Sequence, residues 1–160
     1  MGDTMTFKPL LNPYEMLELG IFDGKYYLST NKDFDRTPTI NETNLFAKNV
    51  SLPLSEWQTR GWITPEDPMG WFQWYLRYYQ GRRIPELDEH QIKRHNSFCA
   101  RHGSQIANNG NGDITKRIRQ RQSVLHWGGD PIPDIMLTRD EKVTFLKNLL
   151  PNEINVFTFG

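Results

Sequence analysis

The sequence predicts a mainly α protein, a compact single-domain helical bundle with a small β-hairpin or a terminal strand. Three observations predict it. Residues 67–83, DPMGWFQWYLRYYQGRR, carry two tryptophans, three tyrosines and three arginines. On a helix Trp71, Trp74, Tyr75 and Tyr78 fall at i, i+3, i+4 and i+7 on one face, and Phe72, Leu76 and Tyr79 form the face beside it. Such a helix is apolar around most of its circumference and belongs at the centre of the fold, with Gln73, Arg77 and Gln80 as its polar stripe. Second, the segments 86–107 and 113–127 show helical spacing and are separated by the loop sequence NNGNGD. Third, 160 residues fit one domain, 1–160, that buries a sizeable core.

The elements follow in order. Residues 13–19, PYEMLEL, suit a short helix with Pro13 at its first position and Gly20 as the stop. Asp23-Gly24 reads as a turn leading into an extended piece, so residues 21–28, and the tail at 154–159, are the expected β contribution. Across residues 29–50 periodicity fades, with Leu45 and Phe46 as anchors; a loop of this length suits a lid or an interaction loop. Ser55-x-x-Gln58 is a capping box for a short helix that Gly61 closes, with Trp57 and Trp62 expected to pack in the core. In the central helix Asp67 is expected as N-cap, Pro68 at the first position and Gly81 at the end. Pro85 opens the next helix, whose first turn holds Glu86, Asp88 and Glu89, where the helix dipole favours acids. Its inward positions are Leu87, Ile92, Phe98, Cys99 and Ile106. Asp113 is expected to cap a third long helix, packed through Ile114, Ile118 and Leu125 and ended by Gly128-Gly129. Thr138-x-x-Glu141 is a second capping box, opening a helix with Val143, Leu146, Leu149 and Leu150 that Pro151 ends.

Bulk charge is silent, since nineteen basic residues balance nineteen acidic ones. Its distribution is not. Residues 1–67, an acidic N-terminal part with the loop 29–50, carry −4; residues 68–129, a basic aromatic helical core, carry +6 and all four histidines; residues 130–160, a C-terminal helix and tail, carry −2. A neutral chain with a basic centre presents a one-signed field to a polyanion. The single cysteine, Cys99, leaves no intrachain disulfide and fits a reducing compartment. No apolar run reaches the roughly 18–20 residues of a membrane helix, and MGDTMTFKPLL lacks the layout of a secretory signal. The expectation is a cytoplasmic protein, or a nuclear one in a host with a nucleus, without a membrane partner.

Candidate chemistry concentrates in the basic core. Lys116, Arg117, Arg119 and Arg121 crowd two turns, and Arg82, Arg83, Lys93, Arg94 and Arg101 come from the preceding elements. Packed as neighbours they line one groove, where guanidinium forks meet phosphate oxygens, and Tyr78, Tyr79 and Trp127 can stack bases. The bland alternative is a solvated face, partly paired to Glu86, Asp88 and Glu89. His95, Cys99 and His102 lie at i, i+4 and i+7, but three ligands on one helix with no evident fourth favour a buried cluster over a metal site. His126, before Gly128-Gly129-Asp130, is the candidate general base; the alternative is a histidine at a helix C-terminus interacting with the dipole. Asp67, Asp88, Asp113 and Asp130 are the acids nearest the basic block, without a spacing that demands a divalent ion. Walker, G-x-S-x-G and dinucleotide motifs are missing, so no cofactor is expected.

The segments PYEMLELGIFDGKYY, PLSEWQTRGWITPEDPMGWFQWYLRYYQGRR, DEHQIKR and RQRQSVLHW resemble a family of uncharacterised proteins found in bacteria, bacterial viruses, algae and fungi. Its hallmark is GW-I-x-P-x-DP-x-GWFQWY-x-R-[FY]-x-x-GRR, followed by Q-[IV]-x-R and a later RQ-x-[LV]-x-HW. The likeness spans most of residues 13–128, and the chain departs from it with His95 where a tryptophan is expected. The resemblance implies that Trp71, Trp74, Tyr75, Arg77, Gly81, Arg82, Arg83, Arg94, Arg121 and Trp127 work together, as an aromatic–arginine core or as a phosphate site. It implies no activity.

The leading functional expectation is nucleic-acid binding, DNA in preference, through backbone contacts from Arg77, Arg82, Arg83, Arg94, Lys116, Arg117, Arg119 and Arg121. The first alternative is an enzyme acting on a nucleotide or a nucleic-acid base, with His126 as base and Arg77, Arg83 and Arg94 holding phosphate. The second is a protein-interaction module without catalysis, using the loop 29–50 and an exposed patch that includes Phe34, Phe46 or Trp57.

Overall fold

The spine of the computed structural model is a 25-residue helix, Pro85–Asn109, against which the aromatic helix Trp71–Tyr79 packs. The structure describes residues 6–25, 31–48, 54–150 and 156–158. Within them lie helices α1 (Pro13–Leu19), α2 (Leu54–Thr59), α3 (Trp71–Tyr79), α4 (Pro85–Asn109), α5 (Ile118–His126) and α6 (Arg139–Lys147), with strands β1 (Thr39–Asn41) and β2 (Val156–Thr158). The fold is mainly helical, as expected.

α1, α4 and α6 match the expected elements closely. α1 carries an unread capping box, in which Asn12 Oδ1 accepts from Glu15 N while Asn12 N donates to Glu15 Oε1. The Thr138–Glu141 box opens α6. Two helices begin later than their caps suggested. α3 starts at Trp71 with Gly70 as N-cap, because the Asp67 carboxylate is drawn away to Arg77 and Arg82. Gly70, at φ 100°, cannot continue a helix, and Gln73 Oε1 accepts from Met69 N in place of the cap. α5 starts at Ile118 because Asp113 closes a local turn, accepting from Thr115 N and Oγ1, and Arg117 sits in the left-handed region at φ 59°. Ser55 lies inside α2, one residue past its start, and does not cap it.

The β contribution falls elsewhere than expected at one end. Residues 22–24 form a 3₁₀ turn, while residues 26–28 lie outside the described residues. The strand is β1, inside the loop 29–50, and it pairs antiparallel with β2 in the expected C-terminal segment. The described part of that loop is stitched to the body. Asn41 Nδ2 donates to Leu19 O, Asp23 and Asn44 exchange backbone-to-side-chain bonds, and Phe46 N donates to Gln122 Oε1. Gln122, fully buried, returns Nε2 to Gly20 O and so ties α1, the loop and α5 at one point. Gly20 makes this approach possible, since a Cβ there would lie 2.2 Å from Thr43 O.

The core is aromatic, and each polar tip finds a partner. Trp74 Nε1 donates to Asp88 Oδ1 at 2.8 Å, Trp71 Nε1 to Gln91 O at 3.1 Å and the Tyr75 hydroxyl to Leu11 O at 2.6 Å. Phe7 sits edge-on to Trp71, Tyr75 and Tyr78. Phe98 and Cys99 are only half-buried, unlike Leu87, Ile92 and Ile106. Among the described residues no helix is long and apolar enough to cross a membrane.

Candidate nucleic-acid interface

The eight arginines and lysines expected to meet phosphate divide into groups with different surroundings. Arg77 and Arg82 converge on Asp67, whose side chain is 0% exposed. Arg82 forms a two-point pair, Nη1 to Oδ1 at 2.9 Å and Nη2 to Oδ2 at 2.7 Å. Arg77 Nη1 reaches the same Oδ1 at 2.9 Å, and its Nη2 reaches Asp33 Oδ1 at 3.0 Å. Arg121 is wholly buried. It pairs in two-point fashion with Asp134 at 2.8 and 2.7 Å and donates to the carbonyls of Lys116, Pro131 and Asp113. Arg121, enclosed and engaged on every nitrogen, has no face to offer a polymer, while Arg77 and Arg82 keep side chains 27% exposed but already neutralised by Asp67 and Asp33. Arg83 is exposed but gives Nη1 to the carbonyls of Tyr78 and Arg82 and lies 3.6 Å from the Tyr78 ring centroid. Tyr78 is thereby covered, while Tyr79 is 47% exposed.

Lys116, Arg117 and Arg119 are exposed at the start of α5, with Arg117 touching only Gln120. Arg94 is different again. Only its Nη1 is engaged, with Trp62 O at 3.2 Å and Gln91 Oε1 at 2.8 Å, and its guanidinium lies 5.4 Å from the Trp127 ring centroid. It has no ion pair among the described residues, and burial pulls its pKa below the usual arginine value. Arg101, one helical face along at i+7, is exposed and has no ion pair among the described residues.

Arg94 and Arg101 line the same cleft, of about 530 Å³. α4 and α5 pack side by side, with Gln120 Nε2 against His102 Nδ1 and Gln105, and this sets the cleft between them. α4 contributes Arg94, Ser97, Phe98, Arg101 and His102; α5 contributes Ser123 and His126. The far walls are Trp57, Trp62 and Trp127, above Trp71 and Phe72. Arg119 lies on the α5 face that continues through Ser123 and His126, at i, i+4 and i+7.

His126 stacks on Phe22, ring centroids 4.2 Å apart and planes 10° from parallel. Neither ring nitrogen has a hydrogen-bond partner, and burial lowers its pKa to about 3. It lies beside Arg94 but not beside Arg77 or Arg83, so the expected three-arginine phosphate clamp does not form around it. A neutral imidazole so resistant to protonation is a hydrogen-bonding group at neutral pH and a weak base. His95 stacks on Trp71 with Nδ1 against Asn96, Cys99 is pushed up to about 12 by burial, and His102 turns to Gln120. His95 and Cys99 border a second cleft, of about 460 Å³. No group of three potential metal ligands comes together among the described residues. Asp67, Asp88, Asp113 and Asp130 are each engaged separately, with arginines, with Trp74, with Thr115 and with Lys142.

The aromatics expected to expose an interaction patch are otherwise employed. Phe46 is buried, Phe34 packs edge-on to Tyr14, and Trp57 is half-buried against Phe22. Trp62, assigned to the core from sequence, is 41% exposed at the cleft. The cleft lies between the two basic helices, with Arg94, Phe98 and Arg101 on one and Ser123 and His126 on the next. Comparison of the chain with protein-family models, with curated proteins and with solved structures found no match.

Proposed function

We propose that the protein binds nucleic acid along the groove between α4 and α5, with phosphates held by Arg94, Arg101 and Arg119 and flanked by Lys93, Lys116 and Arg117. One observation carries the reading. Arg94 and Arg101 line an aromatic cleft, Arg119 lies exposed one turn before its lining residue Ser123, and none of the three is paired to an acid among the described residues. Guanidinium groups left unneutralised at a concave surface attract phosphate, and low-dielectric walls strengthen that field. Relative to the sequence expectation, Arg77, Arg82 and Arg121 drop out, Arg83 is secondary, and Arg101 joins. DNA is the polymer of choice for the first test.

His126 at the cleft favours the catalytic alternative, yet a pKa lowered to about 3 by burial makes its neutral ring a weak acceptor of a proton near neutrality. Binding is therefore the preferred function. The test is a titration with single-stranded DNA at several salt concentrations, repeated with Arg101→Glu and Arg119→Glu together. Steep salt dependence that the double variant reduces supports the reading; binding unaffected by both refutes it.

A further inference from the structure

We infer that the aromatic cleft between α4 and α5 captures an unpaired nucleobase, so that the ligand is single-stranded. This inference rests on the nucleic-acid reading above and adds the substrate class to it.

Shape and chemistry point the same way. The volume, about 530 Å³, lies within the roughly 300–1,000 Å³ of small-molecule sites. The walls are flat π surfaces. Trp127 and Phe98 stack with centroids 5.2 Å apart and planes 24° from parallel, and Trp62 stands 41% exposed at the cleft, with Arg60 5.2 Å from its ring centroid. A duplex cannot present a base face to such a wall, because its bases are stacked on one another; a single strand can.

The polar groups suit a base edge. His126 keeps one N–H donor and one lone-pair acceptor, both enclosed and both without partners. Nothing in the protein explains that cost, whereas a base offers an acceptor and a donor side by side. Ser97, Ser123 and His102 add further donors and acceptors around the cleft. Arg94 holds the Trp62 segment by Nη1 alone, leaving Nη2 and Nε for the phosphate joined to the captured base.

The experiment compares, at one salt concentration, an intact single strand, the same strand without bases at equal length and backbone charge, and the duplex. The intact strand is expected to bind about tenfold or more tightly than the abasic one, with the duplex no better than the abasic strand. Trp62→Ala, at an exposed position, is expected to bring binding of the intact strand down towards that of the abasic one, and a preference kept in full would overturn base capture at this wall. Equal affinity for intact and abasic strands overturns base capture and leaves the phosphate-binding reading standing. Failure of all three to bind at low salt overturns both.

Discussion

Arg119 and Arg121 stand two positions apart in one basic run and have opposite fates. Arg121 turns inward to Asp134 and three carbonyls, and a Cβ at Gly110 would come within 2.6 Å of its guanidinium and 2.3 Å of the Asp134 carboxylate. Arg119 stays exposed on the cleft-bearing face. His126 is the residue whose ionisation bears most directly on stability. Its pKa falls from 6.5 to about 3 on burial. Between those values the unfolded chain binds the proton and the folded chain does not. Stability contributed by the neutral form is therefore full above about pH 6.5 and falls as pH drops towards 3, by at most about 1.4 kcal/mol per pH unit. His95, also lowered by burial, adds to the same slope. His126→Phe, which keeps the stack on Phe22, is expected to flatten that slope. Urea unfolding of both proteins at about pH 7.5 and about pH 5 measures it; identical slopes would show that His126 is accessible to protons in the folded state.

At the scale of elements, the Asp67 cluster takes the place of the helix cap expected from that residue. One enclosed carboxylate joins the turn at residues 64–67 to Arg77 within α3 and to Arg82 just past its end, and Arg77 carries the link to Asp33. Asp67→Asn strips the acid from both guanidinium groups and is expected to cost about 3 kcal/mol of stability in chemical denaturation. A loss below about 1 kcal/mol would mean that Arg77 holds the turn through its bond to the Glu66 carbonyl instead. What was legible follows from the range of the interactions involved. α4 declares itself by Pro85, by acids in its first turn and by its stop at Gly110, all local. α6 does so by its capping box, and α1 by Pro13 at its first position and its stop at Gly20. An Asp-Pro pair reads as a cap, but the same pair suits a turn once arginines 10 and 15 residues on compete for its carboxylate. Arg121 is indistinguishable from Arg119 in a local window because Asp134 reaches it from a separate loop. The cleft draws on α2, α3, α4 and α5 at once, so no single segment reveals it.

The whole molecule resolves a basic core of +6 into an internal set of ion pairs and an external groove. Internal pairing lets the aromatic helix α3 be enclosed while the arginines near it stay charged. The groove is built from the two helices packed next to it; Arg94 and Arg101 line its aromatic cleft, and Arg119 stands one turn before Ser123 on α5, none of them in an ion pair among the described residues. The central claim is that only these and their flanking cations reach phosphate. Plotting log affinity for a single strand against log salt measures how many do. With three to six contacts the slope is expected between about −2 and −4. A flat line would contradict phosphate binding, and a slope near −6 or steeper would mean that Arg77, Arg82 and Arg121 leave their carboxylates to meet the ligand.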